Sequence, residues 1–165
     1  MQLGYSLPTD FVSPGSKLSA NLLLNYLIDF KVEELPGLTL DYAGTVSYFG
    51  EGLGTSFPRW KGYLNLAWNM KPFTLESRIR YINKMENRLN KQFPGEEASF
   101  TGTPSVWYFD FAAEADFRPL TLRIGLNNAF NKSPPQYSPN VQSGTDPSLF
   151  DVIGRRAYVQ ATLRY

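Results

Sequence analysis

Six stretches of this chain change polarity at every second residue, and that period restricts what the chain can fold into. Successive side chains of a strand point to opposite faces, whereas a helix would mix the two sets on every side. In 156–165 the odd positions are Ala157, Val159, Ala161, Leu163 and Tyr165, and the even ones include Arg156, Gln160, Thr162 and Arg164. In 17–31, Leu18, Ala20, Leu22, Leu24, Tyr26, Ile28 and Phe30 oppose Lys17, Ser19, Asn21, Leu23, Asn25, Leu27, Asp29 and Lys31. Trp60, Leu64, Leu66, Trp68 and Met70 oppose Arg59, Lys61, Tyr63, Asn65 and Asn69, with Gly62 interrupting the apolar set. Phe73, Leu75, Ile79 and Tyr81 face away from Thr74, Glu76, Arg78 and Arg80. Trp107, Phe109, Phe111, Ala113, Ala115 and Phe117 face away from Tyr108, Asp110, Glu114 and Asp116. Leu120, Leu122, Ile124 and Leu126 oppose Thr121, Arg123, Gly125 and Asn127. Leu3, Tyr5 and Leu7 add one more strand, so the pattern predicts about seven strands and no helix.

The connections alternate in length. Short ones fall at 8–16, 71–72 and 118–119, and long ones near 32–58, 84–104 and 132–154. Tight turns therefore gather at one end of an up-and-down antiparallel sheet and long loops at the other. Long loops of this kind are uncommon in compact soluble domains.

The apolar face could turn inward, as in a soluble ligand-binding β-barrel, or outward to lipid. Three features favour lipid. Several strands have ten residues or so, as a tilted membrane strand needs. Trp60, Trp68, Tyr81, Trp107, Phe117 and Tyr165 mark the ends of the apolar stripes, where interfacial girdles sit. The opposite face carries Glu76, Arg78, Arg80, Asp110, Glu114, Arg123, Arg156 and Arg164, a mixture suited to a wet barrel interior. No run of about 18 apolar residues is present, so no membrane-spanning helix is expected. The first residues lack the basic start and apolar core of a signal peptide, which points to a cytoplasmic chain or one whose N-terminal part lies elsewhere.

Composition removes other classes. With 16 basic and 15 acidic residues the net charge is +1, which gives nucleic acid nothing to grip by bulk charge. The absence of cysteine and histidine excludes disulfides, thiol chemistry and histidine-based metal or acid–base sites. Gly50–Gly54 lacks the lysine and helix of a phosphate loop and is expected to be a plain loop. Glu33, Glu34 and Asp41 lack the spacing of a calcium loop. Asn131-Lys132-Ser133 fits a glycosylation pattern, a short motif that by itself carries little weight. Glu76, Asp110 and Glu114 lie on different strands of a wet wall, so paired-carboxylate hydrolysis is not expected, nor is a catalytic residue, a cofactor or a metal. Loop aromatics Tyr48, Phe49, Phe93, Phe100, Tyr137 and Phe150 either stack on a ligand or pack among themselves.

Residues 57–69, 120–139 and 146–165 resemble the C-terminal end of TonB-dependent outer-membrane receptors. The carrying features are Asn128-Ala129-Phe130-Asn131-Lys132 after a strand, a Pro-rich loop, the stretch from Asp151 to Arg156, and an aromatic last residue. The resemblance implies a barrel of about 22 strands filled by an N-terminal plug, of which this chain would supply the last seven. It implies uptake of a scarce nutrient (metal chelate, vitamin or oligosaccharide) and no enzymatic activity. The implied partners are outer-membrane lipid, the rest of the barrel and its plug, a TonB-type energising complex reached through the N-terminal part, and the barrel assembly machinery, which reads the last strand. In that signal Leu163 and Tyr165 fit, while Gln160 stands where a glycine is usual. A small complete outer-membrane barrel with a structural or adhesive role is the alternative.

Overall fold

The computed structural model describes residues 1–47, 56–95, 100–138 and 143–164. Its strands in chain order are β1 (Gln2–Pro8), β2 (Lys17–Tyr26), β3 (Lys31–Leu35), β4 (Leu38–Asp41), β5 (Thr45–Val46), β6 (Ser56–Phe57), β7 (Trp60–Met70), β8 (Phe73–Ile82), β9 (Met85–Asn87), β10 (Gly102–Thr103), β11 (Val106–Phe117), β12 (Leu120–Asn127) and β13 (Arg156–Leu163). One short helix, α1 (Arg88–Gln92), follows β9. No described helix is long and apolar enough to cross a membrane, which says nothing of strands.

Seven strands form one antiparallel sheet in the order β1-β2-β7-β8-β11-β12-β13. The sheet is open, with β1 and β13 at its edges. Register explains why the alternation survives across it. The two-residue turns Lys71-Pro72 and Arg118-Pro119 pair Met70 with Phe73 and Phe117 with Leu120. Each turn thereby locks the apolar set of one strand beside that of the next, because a slip of one residue would invert a face. One transverse row reads Ala20, Leu66, Ser77, Phe111 and Leu126, and the neighbouring row on the other face reads Gly4, Asn21, Asn65, Arg78 and Asp110.

The apolar face has no described element packed over it. Leu3, Tyr5, Leu75, Trp107, Phe111, Phe117, Ile124 and Val159 are all exposed. The buried core lies instead at the long-loop end, where Val46, Ile82, Met85, Val106, Tyr108, Tyr137 and Phe150 pack together with Phe100 and Leu149. Ile82, Val106 and Tyr108 belong to the polar-face set of their strands, as their pairing rows with Arg80 and Arg78 require. The loop layer therefore rests on the loop end of the polar face and leaves the apolar face bare.

The long connections are more ordered than the sequence predicted. The first carries the hairpin β3–β4 and the strands β5 and β6; the second carries β9, α1 and β10. These loops join through a four-stranded sheet, β10-β9-β5-β6, in which β5 and β9 run parallel. Asn87 starts α1 by accepting the Leu89 amide on its side chain (2.8 Å), so the expectation of no helix fails by one short turn made at a cap. The strand expected over 17–31 ends at Tyr26. Leu27 still donates its amide to the Arg59 carbonyl (2.9 Å), but Arg59 Nη1 then takes the Ile28 carbonyl (2.7 Å). Phe30 turns into a ring cluster with Phe57 and Tyr42, centroids 4.9 and 5.9 Å away. Ring contact with Phe57 and Tyr42 takes the place of a strand partner there, although Phe30 stays partly exposed.

Candidate functional site

The polar face is a field of cross-strand ion pairs, and register builds it. Neighbouring residues on paired strands stand close enough for long side chains to meet, directly or along a diagonal. Glu114 faces Arg123 directly and Glu76 lies one strand further on. Arg123 Nη1 donates to Glu76 Oε1 (3.1 Å) and to Glu114 Oε2 (3.3 Å), so one guanidinium serves two carboxylates. Nearer the loops, Arg80 gives Nε and Nη2 to the two oxygens of Asp110, both at 3.1 Å, and its guanidinium carbon stands 4.8 Å from the Tyr108 ring centroid. Nearer the turns, Asp116 meets Arg118 (3.5 Å) and Arg164 (3.7 Å). Six of the eight predicted interior-facing charges thus pair inside these three groups. Arg156 reaches Asp151 at 3.7 Å. Arg78 meets no carboxylate within ion-pair distance among the described residues, and donates Nε to Asn65 Oδ1 (3.1 Å).

Asp151, whose role the charge pattern of the strands could not indicate, ties the third long loop to the wall. Its side chain is 6% exposed and lies 3.5 Å from Arg80 Nη2 and 3.7 Å from Arg156 Nη2. Its amide donates to the Tyr108 hydroxyl (3.2 Å). The Asn128–Lys132 segment is locked beside it. Asn128 adopts φ 48°, a left-handed conformation that asparagine tolerates. It spans the turn by accepting the Lys132 amide (2.8 Å) and donating to the Lys132 carbonyl (2.9 Å). Its own amide donates to Asp110 Oδ1 (2.8 Å), and Asn131 Oδ1 accepts the Arg155 amide (3.0 Å).

Two aromatic belts frame the apolar face. At the loop end Tyr26 stacks near Trp60 (centroids 4.4 Å apart) and Tyr81 near Trp107 (4.5 Å). At the turn end Phe73 meets Phe117 edge-on (5.9 Å), and Trp68 Nε1 donates to Thr9 Oγ1 (3.0 Å). Phe130 is a belt residue that strand periodicity could not find, since it lies beyond the end of β12. The left-handed Asn128 swings its ring, 70% exposed, onto the apolar side against Phe109 (5.2 Å) and Phe111 (6.4 Å). Tyr165, expected in the turn-end belt, lies outside the described residues.

The loop aromatics divide. Tyr137 and Phe150 are buried, with Phe100 against Tyr137 (5.5 Å) and Phe150 beyond it (6.5 Å), an arrangement of loop self-packing. Phe93 is exposed after α1. Tyr48, Phe49 and the glycine-rich segment 50–54 lie outside the described residues. Burial pushes the Tyr137 phenol above its usual value, and its oxygen stands 2.9 Å from Ser56 Oγ on the first loop.

Asp41 is the electrostatic hub of the loop layer. It accepts the amides of Ala43 (2.9 Å) and Phe30 (3.1 Å), and pairs with Lys91 (3.1 Å) and Arg59 (3.3 Å). Burial alone would raise its carboxyl; those two amides and the Lys91 ammonium outweigh it and hold the group at about 2. Glu33 accepts the Gly37 amide (2.7 Å) and Glu34 lies 4.0 Å from Arg88. Among the described residues no cluster of three or more acidic, cysteine or histidine side chains could hold a metal ion. Comparison with protein-family models, with curated proteins and with solved structures gives no match.

Proposed function

We propose that this chain is part of the wall and outer loops of a TonB-dependent nutrient receptor in a bacterial outer membrane, a transport protein and not an enzyme. The observation that carries the reading is the inverted placement of apolar surface: seven paired strands share one bare apolar face, while most charges of the opposite face pair with one another. Lipid accepts such a face without cost, whereas water penalises it by about 25 cal/mol per Å² of apolar area. From Trp107 to Phe117 a strand runs about 33 Å. Tilted by about 40°, as membrane strands are, it spans about 25 Å, the height of the apolar band of outer-membrane barrels.

In this reading the tight turns are periplasmic and the long loops extracellular. The open edges of β1 and β13 are completed by the remaining strands of the barrel, since unpaired backbone groups in hydrocarbon cost several kcal/mol each. A plug fills the polar interior, an energising complex acts through the N-terminal part, and assembly machinery recognises the terminal strand. A soluble barrel would cover the apolar face, and no described element does. Epitope tags placed in 84–104 or 132–154 of the protein as its gene encodes it are expected to be reachable on intact cells. Tags reachable only after permeabilisation would overturn this orientation.

A further inference from the structure

We infer that Arg78 is a carboxylate-binding site on the polar face of the sheet, an inference that rests on that face being wet. Arg80, Arg123, Arg156 and Arg164 each meet a carboxylate of this chain within 4 Å. Arg78 stands directly opposite Asp110 in the β8–β11 pairing, where a cross-strand ion pair would be expected. Yet Asp110 is already occupied: Arg80 holds both its oxygens and the Asn128 amide donates to one of them. The other nearby carboxylate, Glu76, is held by Arg123.

What remains at Arg78 is a guanidinium fixed at one corner. Its Nε donates to Asn65 Oδ1 (3.1 Å), which orients the plane, while Nη1 and Nη2 have no partner among the described residues. Two parallel N–H donors on a fixed plane are the complement of a carboxylate, which they bind bidentately. Arg78, exposed on the polar face, lines an open recess of about 270 Å³ bordered in part by Asn65, Asn127 and Tyr158, groups that supply hydrogen bonds without charge. Charge bookkeeping within the cavity restricts the guest. Glu76, Asp110 and Arg123 also border it, so its two carboxylates balance its two guanidinium groups; no excess of positive charge is left for a molecule dense in negative charge, and a single carboxylate on a polar neutral body fits best. Such a carboxylate can belong to a small solute in the lumen or to a side chain of a segment that fills it; the chemistry at Arg78 is the same.

The test uses the full protein in detergent, with insertion scored separately by heat-modifiable migration. Phenylglyoxal, which reacts with unengaged guanidinium groups, is followed at each arginine by peptide mass, with and without succinamate, a single carboxylate on a neutral amide. Succinamide, its uncharged analogue, is the control. Arg78 is expected to react at least tenfold faster than Arg123, and succinamate but not succinamide to slow it; that outcome assigns the site to a free carboxylate. Slow reaction without succinamate, together with a carbodiimide crosslink from Arg78→Lys to a carboxylate other than Glu76 or Asp110, assigns it to a carboxylate of the protein's own interior. Fast reaction that succinamate leaves unchanged or that succinamide slows equally, or slow reaction without such a crosslink in Arg78→Lys, overturns the proposal. Protein that never becomes heat-modifiable fails the barrel reading itself. Protein that does and then fails the labelling loses the Arg78 site alone.

Discussion

The loop layer and the sheet use the same residue types in opposite ways. In the loop layer Tyr137, Phe150, Val46 and Met85 are buried and hydrogen bonds close around them, as in any water-soluble core. In the sheet Phe111, Ile124 and Val159 are presented outward and the ion pairs lie on the other side. One chain thus carries two solvent assignments, and the boundary is sharp. Tyr108 is 1% exposed under the loops, while Trp107, its neighbour in sequence, is 51% exposed on the apolar face. Hydrophobicity alone does not tell inside from outside here; strand parity does.

The contrast is open to measurement, beginning with its strongest term. Phe150→Ala, in the loop core, is expected to cost about 3–5 kcal/mol, the usual range for a buried phenylalanine, and to do so in detergent and lipid alike. Urea unfolding of the full protein in both media would show it, and a cost confined to lipid would contradict an aqueous-type core. On the sheet, Phe111→Arg is expected to cost about 2–4 kcal/mol in a bilayer, against about 0–1 kcal/mol for Ala112→Arg on the wet face. Equal costs for these two adjacent positions would mean that the sheet does not border lipid.

The joint between the regions comes next. Asp151→Asn removes the charge that holds Arg80 and Arg156, at an expected cost of about 1–3 kcal/mol, and loosens the third loop. Protease cleavage within 132–154 on intact cells should rise, and unchanged cleavage would show that Asp151 is not the tether. The smallest effect is confined to acid. Because Asp41 has its pKa depressed from 3.8 to about 2, its contribution is fully present above pH 4 and lost as pH falls from about 4 towards 2. The loop layer of wild type should weaken over that window while Asp41→Asn, already weaker, stays flat. Parallel pH profiles for the two would remove Asp41 from its place as hub.

Much of this was legible in the sequence, for a physical reason. Period-two alternation needs no tertiary information, so the face assignments of β7, β8, β11, β12 and β13 follow from the residues, and the two-residue turns carry the faces from β7 to β8 and from β11 to β12. The same rule misled at 27–31, where Ile28 and Phe30 continue the alternation but Phe30 is drawn into the loop layer by Tyr42 and Phe57. The strands β5, β6, β9 and β10 are two or three residues long and exist through their partners, so no local signal announces them. The charges of the polar face were visible as a set, but which arginine lacks a carboxylate is a matter of geometry. A hint did exist for the loop core: Ile82, Val106 and Tyr108 are apolar at positions where the polar set should continue.

The parallel pairing of β5 with β9 has a consequence for anyone wishing to rebuild the surface of this molecule. A loop of the first connection finds its backbone partners in the second, and Ser56 of the first reaches Tyr137 of the third. An antibody raised against the folded surface would therefore see residues from separate connections at once, and a linear peptide copied from any one of them would compete poorly. Transplanting the surface calls for the three connections together, with Ile82, Val106 and Tyr108 beneath them, because a single graft keeps its own hairpins but loses the β5–β9 pairing and the shared core.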